Sequence, residues 1–423
     1  MLIVLLSLLV RSALVAQRLP PRLMGTGEGH SVLIAADGAL YSWGSWGESN
    51  ATPTNDTTFQ SYAPRRMPGG GKWRQVAAGS GYTLAIRQDG TLWGWGSNTA
   101  GQLGDGTCLS RYQPVQVGYA HNWRRISAYY NLSLGVRADG TLWAWGTNEN
   151  GQLGLGKLTR CCTPRQVGTA TNWTEVVAGF SHCVGLRADG TLWGWGDNST
   201  AYFAARKAGI YLRTPRQIGT ATSWRAVAVG DYHTAALRAD GTLWTWGYNF
   251  HGPLGNNSRQ SSRLPQQVGT ATNWRQLSAG GQHTMALRTD GTLWAWGLDE
   301  ENYLGFDFSY LARMGYLAAR HGVTPLGICN EVIIIRPLPV DSVRTWVAVE
   351  TTSEHSLAVR TDGSVWIWGY NMSGQIGPLA PTSPPPTAPD DPGGGPPMTP
   401  IRLPHLRALL PTHSLQRPPL RRP

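Results

Sequence analysis

Five histidines, His30, His182, His233, His283 and His355, each stand seven residues before an Asp-Gly pair, a regularity that first invites a metal-site reading. Neutral imidazole is a common metal ligand, but ligands of one zinc ion must converge to about 2 Å from it. The equivalent slot holds Tyr82 in one copy and Leu132 in another, and leucine cannot coordinate an ion. The slots also recur far apart along the chain. The imidazoles, with His182 as their representative, are therefore expected to make buried hydrogen bonds and to be structural.

The other reactive side chains support no catalytic constellation. Cys108, Cys161, Cys162, Cys183 and Cys329 are odd in number and form no C-x-x-C pair, so neither a zinc site nor a disulfide framework is expected. Cys161 and Cys162 are adjacent and poorly placed to bridge one another. The stretch GTGEGH at 25–30 has the look of a phosphate loop, yet it lacks the lysine and the following helix. No nucleophile elbow, zinc-protease motif or close carboxylate pair is visible. The expectation is a non-enzymatic chain without a cofactor.

Whatever positions these residues is periodic. Asp-Gly pairs begin at Asp37, Asp89, Asp139, Asp189, Asp240, Asp290 and Asp362, with spacings of 52, 50, 50, 51, 50 and 72 residues. A Trp stands six residues after each Asp and another four after it, Tyr41 replacing the latter in the first copy. A further Trp precedes six of the Asp residues by sixteen positions, and together these offsets place all tryptophans except Trp46. The tryptophans belong to the repeat. In the third copy the repeat residues are Asp139, Gly140, Trp143, Trp145, Gly146, Trp173 at the start of the next unit, and His182.

Asp-Gly between alternating apolar runs signals a β-hairpin, here expected as a two-residue turn with positive φ at both central positions. Trp143 and Trp145 are two apart and so share one side of their strand. Two more strands fit each period: a Pro-led segment such as PRQVG, and the W..V.AG segment. Four short strands repeated seven times describe an all-β fold, a seven-bladed β-propeller of four-stranded antiparallel blades. Rings fixed at such positions are expected to pack between blades, each Trp burying roughly 150–250 Å².

The run RADGTLWAWGTNENGQLGLG at 137–156, followed by TPRQVG and W..V.AG..H, resembles the repeat of the regulator of chromosome condensation family, its bacterial-type members in particular. The resemblance covers roughly residues 24–377 and itself implies a seven-bladed propeller. It also implies an alternative activity, guanine-nucleotide exchange on a small GTPase, for which eukaryotic members are known. Related repeats build some bacterial inhibitors of β-lactamase, which adds inhibition of a secreted enzyme as another alternative.

The net charge of +11 would suit an acidic partner, but three of the excess charges lie in residues 1–22 and three in 379–423. No basic stripe marks a nucleic-acid site, and no membrane-binding site is evident. Six arginines, from Arg87 to Arg360, stand two residues before an Asp and are read as local ion pairs or a rim of charge. The apolar run Leu2–Val10 is too short to span a bilayer but fits an export signal over residues 1–17, with a cleavage point after Ala16. The expected location is the cell envelope or exterior, the cytoplasm being the alternative. Residues 378–423 form a Pro- and Arg-rich tail, expected to be mostly disordered apart from one closing strand near 399–404. Closure of the last blade is the open point of the fold.

Departures from the repeat mark where specific function is expected. The sixth interval carries extra sequence in which Phe306, Tyr310, Leu311, Met314 and Leu317 have helical spacing. The fourth copy replaces its GQLG turn with STAYFAARKAGIY. Asp299, Glu300, Glu301, Phe306, Phe308 and Tyr310 from the first segment, and Tyr202 and Phe203 from the second, are the candidate partner-binding residues. Trp46 is a candidate for stacking on a carbohydrate. The expectation is a monomeric protein-binding scaffold, with a small GTPase as the alternative partner.

Overall fold

The computed structural model describes residues 22–45, 60–68, 70–199, 211–300, 303–306, 323–327, 330–377 and 401–407, and every regular element among them is a β-strand. Seven antiparallel sheets follow one another along the chain, over residues 24–66, 73–116, 123–166, 173–217, 224–267, 274–339 and 346–407; these are blades 1 to 7. In six of them four strands pair in chain order; in blade 6 the third strand pairs with Asn330–Pro339, and the intervening strand Val323–Gly327 pairs outside that one. First strands of neighbouring blades touch all the way round, blade 7 against blade 1 included, so they line the axis. The fold is the seven-bladed propeller that the repeat implies. The segment 307–322, where helical spacing was noted, lies outside the described residues.

The hairpin differs in one respect from its expected form. Gly140 has φ +77°, whereas Asp139 is not in the left-handed region. Gly140 N–H donates to Arg137 O at 3.0 Å, and Arg137 N–H donates to Thr141 O at 3.0 Å, leaving a three-residue loop, 138–140. Such loops need positive φ only at the last residue, where glycine avoids a Cβ clash. The freed Asp139 carboxylate instead caps the turn, accepting Thr141 N–H at 3.0 Å and Thr141 Oγ1–H at 2.6 Å. Trp143 Nε1–H then donates to Thr141 Oγ1 at 2.8 Å. The sequence Asp-Gly-Thr-Leu-Trp is thus one connected turn device, built again around Asp89, Asp189, Asp240 and Asp290.

The paired tryptophans have different duties. Trp145 is wholly buried, and its Nε1–H crosses to blade 2, donating to Gln102 O at 2.9 Å. Trp195, Trp296 and Trp368 reach the preceding blade in the same way, through Gln152 O, Pro253 O and Tyr303 O. Trp143 is only half-buried and stays within its blade, edge-on to Trp123 with centroids 6.2 Å apart. The Arg137 guanidinium stacks between these two rings, 3.6 Å from Trp143 and 4.8 Å from Trp123. The same sandwich recurs for Arg87, Arg187, Arg238, Arg288 and Arg360. The arginine rim is therefore occupied by cation–π contacts, each contributing about 0.5–2 kcal/mol.

Histidines join the blades. His30, His182, His233 and His283 place Nε2 2.6–3.2 Å from Thr83, Thr234, Thr284 and Thr351 of the next blade. Thr284 Oγ1–H donates to Pro253 O at 2.9 Å, so its proton is committed and His233 Nε2–H must be the donor to it. Burial holds all five imidazoles neutral, pushing His30 and His283 down to about 4 and His182, His233 and His355 to about 3.

Blade 7 closes by this chemistry and not by a strand shared with blade 1. Its outer strand is Ile401–Arg407, beside Ser364–Gly369, in the region where a closing strand was expected. His355 Nε2–H donates to Ser31 Oγ at 2.8 Å, and Ser31 Oγ–H donates to Gln375 O at 2.9 Å.

Candidate functional site

Antiparallel alternation sorts the connections onto two faces. Asp-Gly hairpins and the links from each outer strand to the next blade share one face; the links from first to second and from third to outer strands share the other. Both irregular segments singled out in the sequence join third to outer strands, so they leave and rejoin the fold on this second face, called here the loop face.

At the centre of the loop face three non-adjacent blades meet. Tyr129 of blade 3 extends across the axis, its hydroxyl donating to the Asp231 carboxylate of blade 5 and lying 2.8 Å from Ser353 Oγ of blade 7. Glycine fills the position of Tyr129 in blades 1, 2, 4, 5 and 6. A Cβ there would come within 2.0–2.5 Å of the His30, Tyr82, His233 or His283 ring. Blade 3 has Leu132 in place of that ring, so the position accepts a side chain. Burial raises Asp231 above the usual carboxylate range against the lowering effect of the Tyr129 and Ser353 hydrogen bonds. Glu28, bonded to Ser80 Oγ, is raised by burial and by the charge of Asp231. The other half of the channel is also bridged: Arg22 of blade 1 reaches Glu175 of blade 4 at 3.4 Å and Glu350 of blade 7 at 3.9 Å. Polar ties thus cross the axis at two levels.

Beside this centre runs an arc of exposed aromatics. Tyr130, Phe180, Tyr232 and Phe250 are 37–52% exposed and come from blades 3, 4 and 5. Ring centroids are 5.0 Å apart for Tyr130–Phe180, 6.1 Å for Phe180–Tyr232 and 6.2 Å for Tyr232–Tyr248, and Phe250 lies 6.4 Å beyond Tyr248. Tyr130 has φ +46°, a left-handed conformation that L residues other than Asn and Asp rarely adopt. It is the first residue of the tight turn between Trp123–Tyr129 and Leu132–Arg137. A strained, exposed aromatic held in an aromatic row is a feature of binding surfaces.

Several sequence candidates fall elsewhere. Asp299 is buried, and its Oδ1 accepts Leu304 N–H at 3.0 Å. Asn98, Asn148, Asn249 and Asn371 do the same for their own turns, so Asp299, buried, serves its turn as they do. Burial pushes its carboxyl up to about 7. Phe306 is likewise buried, in the core shared by blades 6 and 7. Glu300 is half-buried and its carbonyl accepts Tyr303 N–H. Glu301, Phe308, Tyr310, Tyr202, Phe203 and Trp46 lie outside the described residues. The aromatic arc was missed because Tyr130, Phe180 and Tyr232 occupy the variable positions of AG..H, a motif read for its fixed residues, and Phe250 comes from a different link, that from the third to the outer strand of blade 5. Among the described residues no cluster of His, Cys, Asp or Glu could hold a metal ion.

Fold and repeat together define a class. The sequence profile of the RCC1-like domain matches residues 120–390, and that of the regulator of chromosome condensation (RCC1) repeat matches 73–102 and 89–134. The chain belongs to the RCC1-like domain family. Among solved structures, Prp20p of Saccharomyces cerevisiae superposes with a TM-score of 0.68 at 23% identity, over 80% of this chain and 83% of that one. Human WBSCR16 superposes with a TM-score of 0.65 at 20% identity, over 79% and 85%. Among curated proteins, the X-linked retinitis pigmentosa GTPase regulator homolog of Caenorhabditis elegans is 35% identical over 78 residues, 18% of this chain and 6% of that protein. The RCC2 homolog of Danio rerio is 37% identical over 79 residues, 18% of this chain and 16% of that protein. The matched stretches thus span less than a fifth of either curated relative.

Proposed function

We propose that this chain is a non-enzymatic protein-binding scaffold whose partner docks on the loop face, over the aromatic arc and the Tyr129–Asp231 centre. The observation that carries the reading is the arc itself, in which Tyr130, Phe180, Tyr232 and Phe250 from three successive blades remain exposed side by side. Aromatic rings give large contact area for little lost side-chain freedom, and they are enriched at binding hot spots. Affinity capture and cross-linking should recover the same partner from the wild type and from Tyr119→Ser on the opposite face. The combined Phe180→Ser and Phe250→Ser chain should lose it. Equal recovery by all three would remove the arc from the interface.

A second reading, nucleotide exchange on a small GTPase, is favoured by the relatives' names: one is a GTPase regulator homolog, and the structure of Prp20p was described with its binding to Gsp1p and histones. Accelerated release of labelled GDP from a small GTPase, abolished by the same arc substitutions, would support it. Export is the location proposed on the strength of the Leu2–Val10 run. N-terminal sequencing of the protein from its source should then find Gln17 first.

A further inference from the structure

Two cysteines that the sequence holds 54 residues apart are brought together between blades 2 and 3. Cys108 lies in the link from the third to the outer strand of blade 2, and Cys162 in the outer strand Arg160–Gln166 of blade 3. Their sulfurs are 3.1 Å apart, and both residues are half-buried and so within reach of solvent. A backbone bond from Gly106 N–H to Cys162 O, 2.9 Å, fixes the two segments against one another.

This contact is a standing feature of the fold. Gly156 N–H donates to Arg213 O, and Asn257 N–H to Ile335 O, at the corresponding joints of blades 3 with 4 and 5 with 6. Those joints carry Leu158 opposite Arg213 and Arg259 opposite Ile335. Only the joint of blades 2 and 3, among these three, places a thiol on both sides. Cys161 does not compete, because successive side chains of a strand point to opposite sides. Its thiol donates back to Thr163 O at 2.9 Å.

We propose that Cys108 and Cys162 are a redox modification site, joined as an inter-blade disulfide by exchange with a small-molecule disulfide oxidant. One protein thiolate attacks a sulfur of the oxidant, forming a mixed disulfide and releasing the first small thiol. The second protein thiolate attacks the protein-side sulfur, forming the Cys108–Cys162 bond and releasing the second small thiol. The two protein thiols lose two protons and two electrons, and the oxidant's disulfide is reduced to two thiols. The sulfurs must move about 1 Å closer to reach the bonded separation of about 2.05 Å. The hydrogen bond to Cys108 and burial hold the Cys162 thiol above its usual range, so cross-linking accelerates as pH rises. The product ties the Cys108 segment of the loop face to its neighbour blade.

The test uses the full chain incubated with oxidised glutathione or with a reductant, then alkylated and digested without reduction. The expected product is a single Cys108–Cys162 cross-linked peptide, with Cys161 and Cys183 alkylated only after denaturation. Cys161→Ser should keep the cross-link and Cys108→Ser should lose it. Comparing the oxidised and reduced wild type avoids any variant that misfolds, and oxidation should raise the melting temperature by roughly 5 °C. Glutathione adducts alone, a Cys108–Cys161 or Cys329 product, or intermolecular dimers would each overturn the assignment.

Discussion

His355 and Ser31 lie 324 residues apart in the chain, yet the imidazole donates to the hydroxyl at 2.8 Å and both are buried. The same bond joins His233 to Thr284 at an interior joint of the ring. His355→Ala should cost about 2–4 kcal/mol, through a lost hydrogen bond and a cavity. His233→Ala should cost about the same. Urea unfolding monitored by tryptophan fluorescence measures both; a negligible loss for His355 alone would mean that the ring does not depend on its closing joint.

Acid should unfold this protein through its imidazoles. A histidine at about 3 to 4 in the fold and at about 6.5 when unfolded takes up its proton preferentially in the unfolded chain. Its contribution is complete above pH 6.5, is lost as pH falls below that value, and is exhausted below the folded pKa. Each one removes up to about 1.4 kcal/mol per pH unit across that window. Denaturant midpoints measured from pH 7 to pH 4 should fall steeply, and His233→Gln should flatten the slope.

Asp299 should show the opposite dependence. Its carboxyl is raised to about 7, so folding favours the protonated form and the penalty grows as pH rises from about 4 to about 7. Asp299→Asn restores the residue used at the same turn of other blades and should stabilise by up to about 1.4 kcal/mol per pH unit in that window. Thermal melts at pH 5 and pH 8 provide the comparison, with the larger gain at pH 8.

The two tryptophans of one strand should separate experimentally. Trp145→Ala removes a fully buried ring and its bond to Gln102 O, at a cost of about 3–5 kcal/mol. Trp143→Ala removes a half-buried ring stacked on Arg137, at roughly half that cost or less. Equal losses would place both rings in the joint between blades.

Tyr130→Gly should leave stability within about 1 kcal/mol of wild type, because relief of the φ +46° strain offsets the loss of the contact with Phe180. Partner affinity should fall tenfold or more. A large loss of stability would mean that the ring supports the fold and not the surface.

The blades were legible because repetition makes weak signals agree: the offsets of Asp139, Trp143, Trp145 and Trp173 recur until only one register fits. The turn was misread because Asp-Gly fits two hairpin loops, and the Asp139 bond to Thr141 decides between them. The channel centre was invisible because Tyr129, Asp231 and Ser353 come from blades that are neither adjacent nor alike in sequence. Asp299 looked like a charged departure available to a partner, whereas it fills the slot of an asparagine whose role is set by a backbone amide five residues on. The pairing of Cys108 with Cys162 escaped notice because a link of one blade meets the outer strand of the next, an offset that no single repeat displays.

Each blade draws its strands from one stretch of chain, and the junction of last with first uses the same imidazole-to-hydroxyl bond as the four interior junctions made by His30, His182, His233 and His283. The molecule is in that sense a circle without a privileged seam. Joining the two ends by a linker and cutting the chain at Gly219 or Gly269, both in exposed links between blades, would preserve every blade and every junction. The order of the blades is a property of the circle, and the point at which it is read is not.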